Sequence, residues 1–243
     1  MSQVLGNPVS WLLAASNFHF VADDQPVFQG MAAQINGDAR AGIRAYLAFW
    51  ENMEFVAAEI TASTMSESQK RMHLLWLPIF REGLQLALQN CTRRQVSVHL
   101  QNPSAQTALK FCETLFEGPA HHLMTVEALE NLLQALASER ELIEQSEVPE
   151  STKRVLLVAV NMVRASLENF QIYGAFGVRS EAGRALADLI AALSQFRDES
   201  SKAETRRVLK LLGTISASAV SGFVGNRFDA IMVALVPALG FNA

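Results

Sequence analysis

The sequence offers few residues of the types that announce chemistry. Only two cysteines, Cys91 and Cys112, occur in 243 residues. So sparse a pair excludes a disulfide framework, and both sit in apolar contexts that suit buried thiols in a reducing compartment. Charged residues make up 18% of the chain, below the roughly 25% of an average globular protein. The net charge of −4 leaves no overall basic field for nucleic acid.

Targeting signals are equally scarce. The N-terminus is apolar around Trp11, Leu12 and Leu13 but lacks a positive n-region and is interrupted by Gly6, Pro8 and Asn17. Residue 2 is Ser, which excludes N-myristoylation. The expectation is a cytoplasmic protein.

Metal and cofactor signatures are missing too. Histidines stand at 19, 73, 99, 121 and 122, and none pairs with another at i,i+4. His121-His122 reads as a solvated loop pair. Glu51 and Glu54 share a helix without the histidine that a carboxylate metal site needs three residues on. Gly174-Ala175-Phe176-Gly177 does not match a phosphate loop and reads as a helix-to-helix turn. No metal, cofactor or catalytic residue is expected, and the chain reads as non-enzymatic.

What the sequence has in abundance is apolar surface. Half the residues are hydrophobic and the mean hydropathy is +0.15, so disorder is excluded and a large buried core is implied. Charge is unevenly spread. Residues 1–137 carry 8 Lys/Arg against 12 Asp/Glu, while residues 138–243 carry 12 of each.

The periodicity is helical and predicts an all-α, multi-helix bundle with an apolar C-terminal helical hairpin. Residues 1–30 read as irregular. From the cap Asp38, a row runs through Ile43, Tyr46, Leu47, Trp50, Met53, Val56 and Ile60. Ser66 with Gln69 forms a capping box that opens a second long helix with Met72, Trp76, Phe80, Leu84 and Leu88, beside Leu75 and Ile79. Pro78 should kink it. Val96–Leu100 is a weak strand candidate. Asn102-Pro103 caps a shorter helix with Leu109, Cys112, Leu115 and Phe116, which Gly118-Pro119 ends.

Thr125 opens a helix with Val126, Leu129, Leu133, Leu136 and Ile143, broken at Glu147-Val148-Pro149-Glu150. The next, about 151–173, is apolar nearly all round and reads as central, with Gly174 and Gly177 ending it. Ser180 begins another, carrying Leu186, Leu189, Ile190, Leu193 and Phe196, and a turn at Asp198–Ser201 closes the series.

Basic pairs occur at Lys70-Arg71, Arg93-Arg94 and Lys153-Arg154. Brought together they would receive a phosphate-bearing regulatory ligand, and separately they are solvated helix ends.

The C-terminal segment differs in kind. No charge occurs from Leu211 to Asn226 or from Ala230 to the end; Arg227 and Asp229 stand between. Gly213, Ala217, Ser221 and Gly225 recur at intervals of four, a ridge that lets helix backbones approach closely. Val208–Asn226 would rise about 28 Å as a helix, near the roughly 30 Å of a bilayer core. The stretch 230–243 is shorter, contains Pro237 and cannot span untilted. Lys202, Arg206, Arg207 and Lys210 precede the run and suit lipid head groups or other anions.

Three parts are therefore expected: an irregular 1–30, a helical sensor or regulatory bundle at 31–200, and a membrane-associating or oligomerising segment at 201–243. The leading functional expectation is a membrane-active effector, inner-membrane associated and homo-oligomeric. Its tail would assemble a channel or lesion, with Arg227 and Asp229 facing a lumen or the interface. Such a design suits a cell-killing or anti-phage defence protein. The alternative is a soluble α-helical interaction protein for a protein, nucleotide or nucleic-acid partner, with the C-terminal hairpin as core or oligomer seam.

Overall fold

A computed structural model describes residues 7–17, 21–34, 39–116 and 126–218. Among them every regular element is helical and no strand occurs, so the all-α expectation holds. The C-terminal hairpin lies almost wholly outside these residues. The chain divides into two compact units. An N-terminal unit comprises Leu5–Gly118 and Asn169–Gly177, and a C-terminal unit comprises Met1–Val4, Pro119–Glu168 and Val178–Ala243.

The N-terminal unit starts earlier than expected. Helix α1 spans Pro8–Ala15, because Asn7 accepts from the backbone N–H groups of Val9 and Ser10 at 2.9 and 3.2 Å and Pro8 presets the first turn. Then come α2 (Val27–Gln34), α3 (Ala39–Ala62), α4 (Glu67–His73), α5 (Leu77–Leu88), α6 (Arg93–Leu100), α7 (Pro103–Phe111) and a 3-10 turn at Glu113–Phe116. On α3 the buried stripe is Tyr46, Phe49, Met53, Val56 and Ile60, spaced 3, 4, 3 and 4. Ile43 and Leu47 face out, a correction to the expected row. Phe49 takes the inward place, packing on Trp11 (centroids 5.5 Å) and Phe80 (6.5 Å), while Ala45 and Ala48 keep that side of α3 narrow.

Pro78 does not kink a long helix. The Ser66–Gln69 box opens α4, which ends at His73; Pro78 instead sits in the first turn of α5, where its missing N–H costs nothing. The strand candidate Val96–Leu100 is the body of α6, because Thr92 and Gln95 form a second capping box.

The C-terminal unit holds α8 (Val126–Gln145), α9 (Glu150–Glu168), the second part of α10 (Phe170–Leu193) and α11 (Glu199–Ser218). Its helices use the same alternation of threes and fours. On α11, Ser201, Thr205, Val208, Leu212 and Ile215 are fully buried; on α10, Val178, Ala182, Ala185 and Leu189 are. Such spacing gives near-aligned helices. Polar contacts set their direction. The Thr152 and Ser201 hydroxyls meet at 3.0 Å, so α9 and α11 begin at one end and run parallel. Arg207 on α11 reaches Glu139 on α8, two turns from the other end of that helix, so α8 runs opposite to both.

The chain leaves α9 at Glu168 and breaks within α10 at Gly174, where φ is 61° and ψ −177°. Gly177 does not end a helix. It lies inside α10, where a Cβ would meet Ala48 at 2.8 Å.

Candidate functional site

The candidate site is the root of the C-terminal segment. Sequence reasoning separated 201–243 from the bundle, but its first part is α11, a helix of the bundle itself. The local cause is a cap. The Asp198 carboxylate accepts from the Ser201 backbone N–H and the Ser200 hydroxyl, both at 2.7 Å, and these bonds hold its pKa down at about 2. From there α11 continues without a break through Lys210, the last charge before the uncharged run, and into that run. Val208, Leu209, Leu212 and Ile215 are buried, with Gly213 and Ser216 beside them. The start of the small-residue ridge therefore faces protein. Ala217 lies in α11, but its side chain, together with Ser221, Gly225, Arg227 and Asp229, is outside the described residues. Among those residues no helix is long and apolar enough to cross a membrane.

The four basic residues at this root are not equivalent. Lys202 is paired with Glu199 at 2.7 Å. Arg207 is held on two sides: its Nε donates to Glu139 at 2.9 Å and its Nη2 lies 2.6 Å from a Glu204 carboxylate oxygen. Arg206 is half-buried, its Nε without an acceptor, and Lys210 is exposed. Lys202 and Arg207 are thus spent on the protein's own carboxylates, and among the described residues of this root Lys210 is the exposed one without a carboxylate partner.

Glu139 is buried. Sequence reasoning passed over it, and the signal was faint: a carboxylate in line with Leu136 and Ile143 on the apolar stripe. Replacing Arg207 by Ala strands that carboxylate. A loss of about 2 kcal/mol in urea unfolding is expected, below the roughly 3–5 of a fully buried pair because Arg207 is itself 38% exposed. Adding Glu139→Leu to that variant should recover most of the loss.

Each basic pair singled out in the sequence has a local use. Arg93 donates to the carbonyls of Asn17 and Val21 and pairs with Asp23 at 2.9 Å; Arg94 lies 4.0 Å from the same carboxylate. They tie Asn17, Val21 and Asp23 to α6. Lys70 pairs with Glu67, and Lys153 donates to the Glu144 carbonyl at 3.0 Å. Arg71 and Arg154 are exposed. Glu54 is not simply solvated, since Arg81 binds it through two donors at 2.8 and 2.6 Å. His121 and His122 lie outside the described residues. Among the described ones no cluster of three or more His, Cys, Asp or Glu could hold a metal.

One cysteine–histidine contact has the look of a nucleophile and its base. Cys112 Sγ lies 3.6 Å from His73 Nδ1. The chemistry runs the other way. The thiol donates to the carbonyls of His73 or Ala108, each at 3.3 Å, and burial pushes its pKa up to about 11, with the Trp76 indole opposing only in part. A nucleophile needs the opposite shift. At pH 8, iodoacetamide should therefore label Cys91 and spare Cys112 until the protein unfolds. The pKa raised above its ordinary 9.0 also gives a sign: the thiol's contribution to stability is present below pH 9 and is lost as pH rises toward 11. Mass spectrometry of the labelled protein checks the first point, and melting at pH 8 and 10.5 the second.

No known family, curated protein or solved structure matches the chain.

Proposed function

We propose that this chain acts by binding rather than by catalysis, as a membrane-active effector. A two-unit helical protein holds the root of an apolar, self-associating C-terminal segment as one of its own core helices. It acts on a bilayer once that helix is freed, in the manner of a cell-killing or anti-phage defence protein. The continuity of α11 carries the reading: one helix begins with a charged, capped turn, buries its middle and enters the uncharged run.

The magnitudes fit a stored state. Exposing Val208, Leu209, Leu212 and Ile215 to water costs about 1.5–3 kcal/mol each, or about 6–12 together. That is comparable to the whole stability of a domain, so the segment stays in place without a trigger. A bilayer returns most of this cost, because hydrocarbon accepts the same side chains.

A second reading draws on burial of Gly213 and Ser216. If α11 never leaves, the ridge is a seam inside the protein, and the chain is a soluble helical interaction protein whose tail completes its core or an oligomer.

Full-length protein on dye-loaded anionic vesicles separates the two. Leakage is expected once urea brings the C-terminal unit to its unfolding midpoint, and Val224→Lys should lower it about tenfold or more by placing a charge in the uncharged run. Intact vesicles and a monomer in solution throughout would leave the second reading. A chain cut at Ser201 is a poor control, because the cut removes a core helix.

A further inference from the structure

Four exposed apolar side chains of the N-terminal unit, including its exposed phenylalanine, lie where two helices end together. Cys112 Sγ lies against the His73 carbonyl and ring, so the C-terminal ends of α4 and α7 abut. Around this junction Met72 is 66% exposed, Leu75 61%, Phe111 68% and Leu115 38%. Arg71 and Met72 lie in the last turn of α4, and Leu75 lies in the turn that follows it. Lys110, beside Phe111, is also exposed.

We infer that this junction is a docking site for an anionic bilayer surface. Side chains that stand two-thirds clear of the protein do not line a groove for a rigid partner. They fit a soft medium, and an aromatic ring with Leu and Met beside basic residues is the composition of an interfacial anchor. The charges complement lipid phosphate. Arg71 and Lys110 have no acceptor among the described residues, whereas the described carboxylates beside them, Glu67 and Glu113, are occupied. Glu67 is paired with Lys70, and Glu113 accepts from the Ser10 hydroxyl while its carbonyl holds Asn7. Phe111 and Leu115 enter the acyl boundary, and Arg71 and Lys110 stay at the phosphates. Each basic residue near an anionic leaflet strengthens binding about fivefold, and the gain is screened by salt.

This inference rests on the membrane reading for its surface but uses a different part of the molecule. Its test is co-sedimentation of full-length protein with vesicles of phosphatidylcholine alone or with one third phosphatidylserine. The comparison includes Met72→Glu with Phe111→Glu, Arg71→Gln with Lys110→Gln, and Val224→Lys. Native protein should bind the anionic vesicles more tightly, less so at 0.5 M salt. The apolar pair should lose binding about tenfold or more, with the circular dichroism and melting of the native chain. The basic pair should lose its preference for phosphatidylserine. Val224→Lys should bind normally in folding conditions while leaking less in urea. Unchanged binding by the Met72/Phe111 variant overturns the inference, as does equal binding of native protein to both vesicles. A native oligomer that this variant dissolves, with vesicle binding unchanged, would make the junction a protein interface instead. Absence of leakage from native protein, with patch-dependent binding retained, would overturn the proposed function and leave the docking site standing.

Discussion

Replacing Gly174 with Ala is expected to destabilise the protein by about 3–5 kcal/mol, seen as a fall in the urea midpoint with little change of slope in the N-terminal unit's transition. Two costs add. At φ 61° and ψ −177° the backbone occupies a region that only glycine visits readily, worth of order 1–3 kcal/mol for any other residue. A Cβ there would also stand 2.7 Å from Trp11, whose indole is packed on Phe49 and cannot swing away cheaply. Overpacking of that kind adds about 1–3 kcal/mol. Trp11→Phe on the Gly174→Ala background should restore part of the loss by freeing space beside residue 174. If Gly174→Ala melts like the native chain, α10 is continuous in solution and the break at 174 is wrong.

Leu212→Asp should be larger still, at more than about 4 kcal/mol. Leu212 is fully buried on α11 between Val208 and Ile215, and an aspartate there would put a carboxylate into an apolar stripe. The C-terminal unit should lose its cooperative transition, followed by the fluorescence of a Trp introduced at Phe196. The substitution also reports on function. An α11 stored in the bundle would be released constitutively, so Leu212→Asp should leak vesicles in the absence of urea. A soluble seam would aggregate or be degraded without touching a bilayer. Native-like melting would mean that α11 contributes nothing to the core, against its burial.

The helices were largely legible because caps and apolar spacing are local. Ser66–Gln69 and Asn102-Pro103 stand where the sequence placed them. What local signals could not supply was partner choice. Ile43 and Leu47 continue a good helical row, yet only Trp11 and Phe80, far off in the chain, decide that Phe49 is the residue turned inward. The strand candidate at Val96–Leu100 is helical for a local reason, the reciprocal cap of Thr92 and Gln95. At the site, the spacing of Gly213 and its basic approach were visible, but that Glu139 waits for Arg207 68 residues away was not. Nor was the cluster of exposed Met72, Leu75 and Phe111, since the same periodicity describes core and surface alike.

The parallel course of α9 and α11, set by Thr152 and Ser201, fixes where forces enter the C-terminal unit. Helix α8 begins, and α9 and α11 end, at one pole. Beyond Ser218 the chain continues from that pole, where α11 ends beside the end of α9 at Glu168. A pull on the chain beyond α11 is therefore applied to its last turn, where the helix can peel turn by turn, rather than at the capped end where the whole helix would have to shear at once.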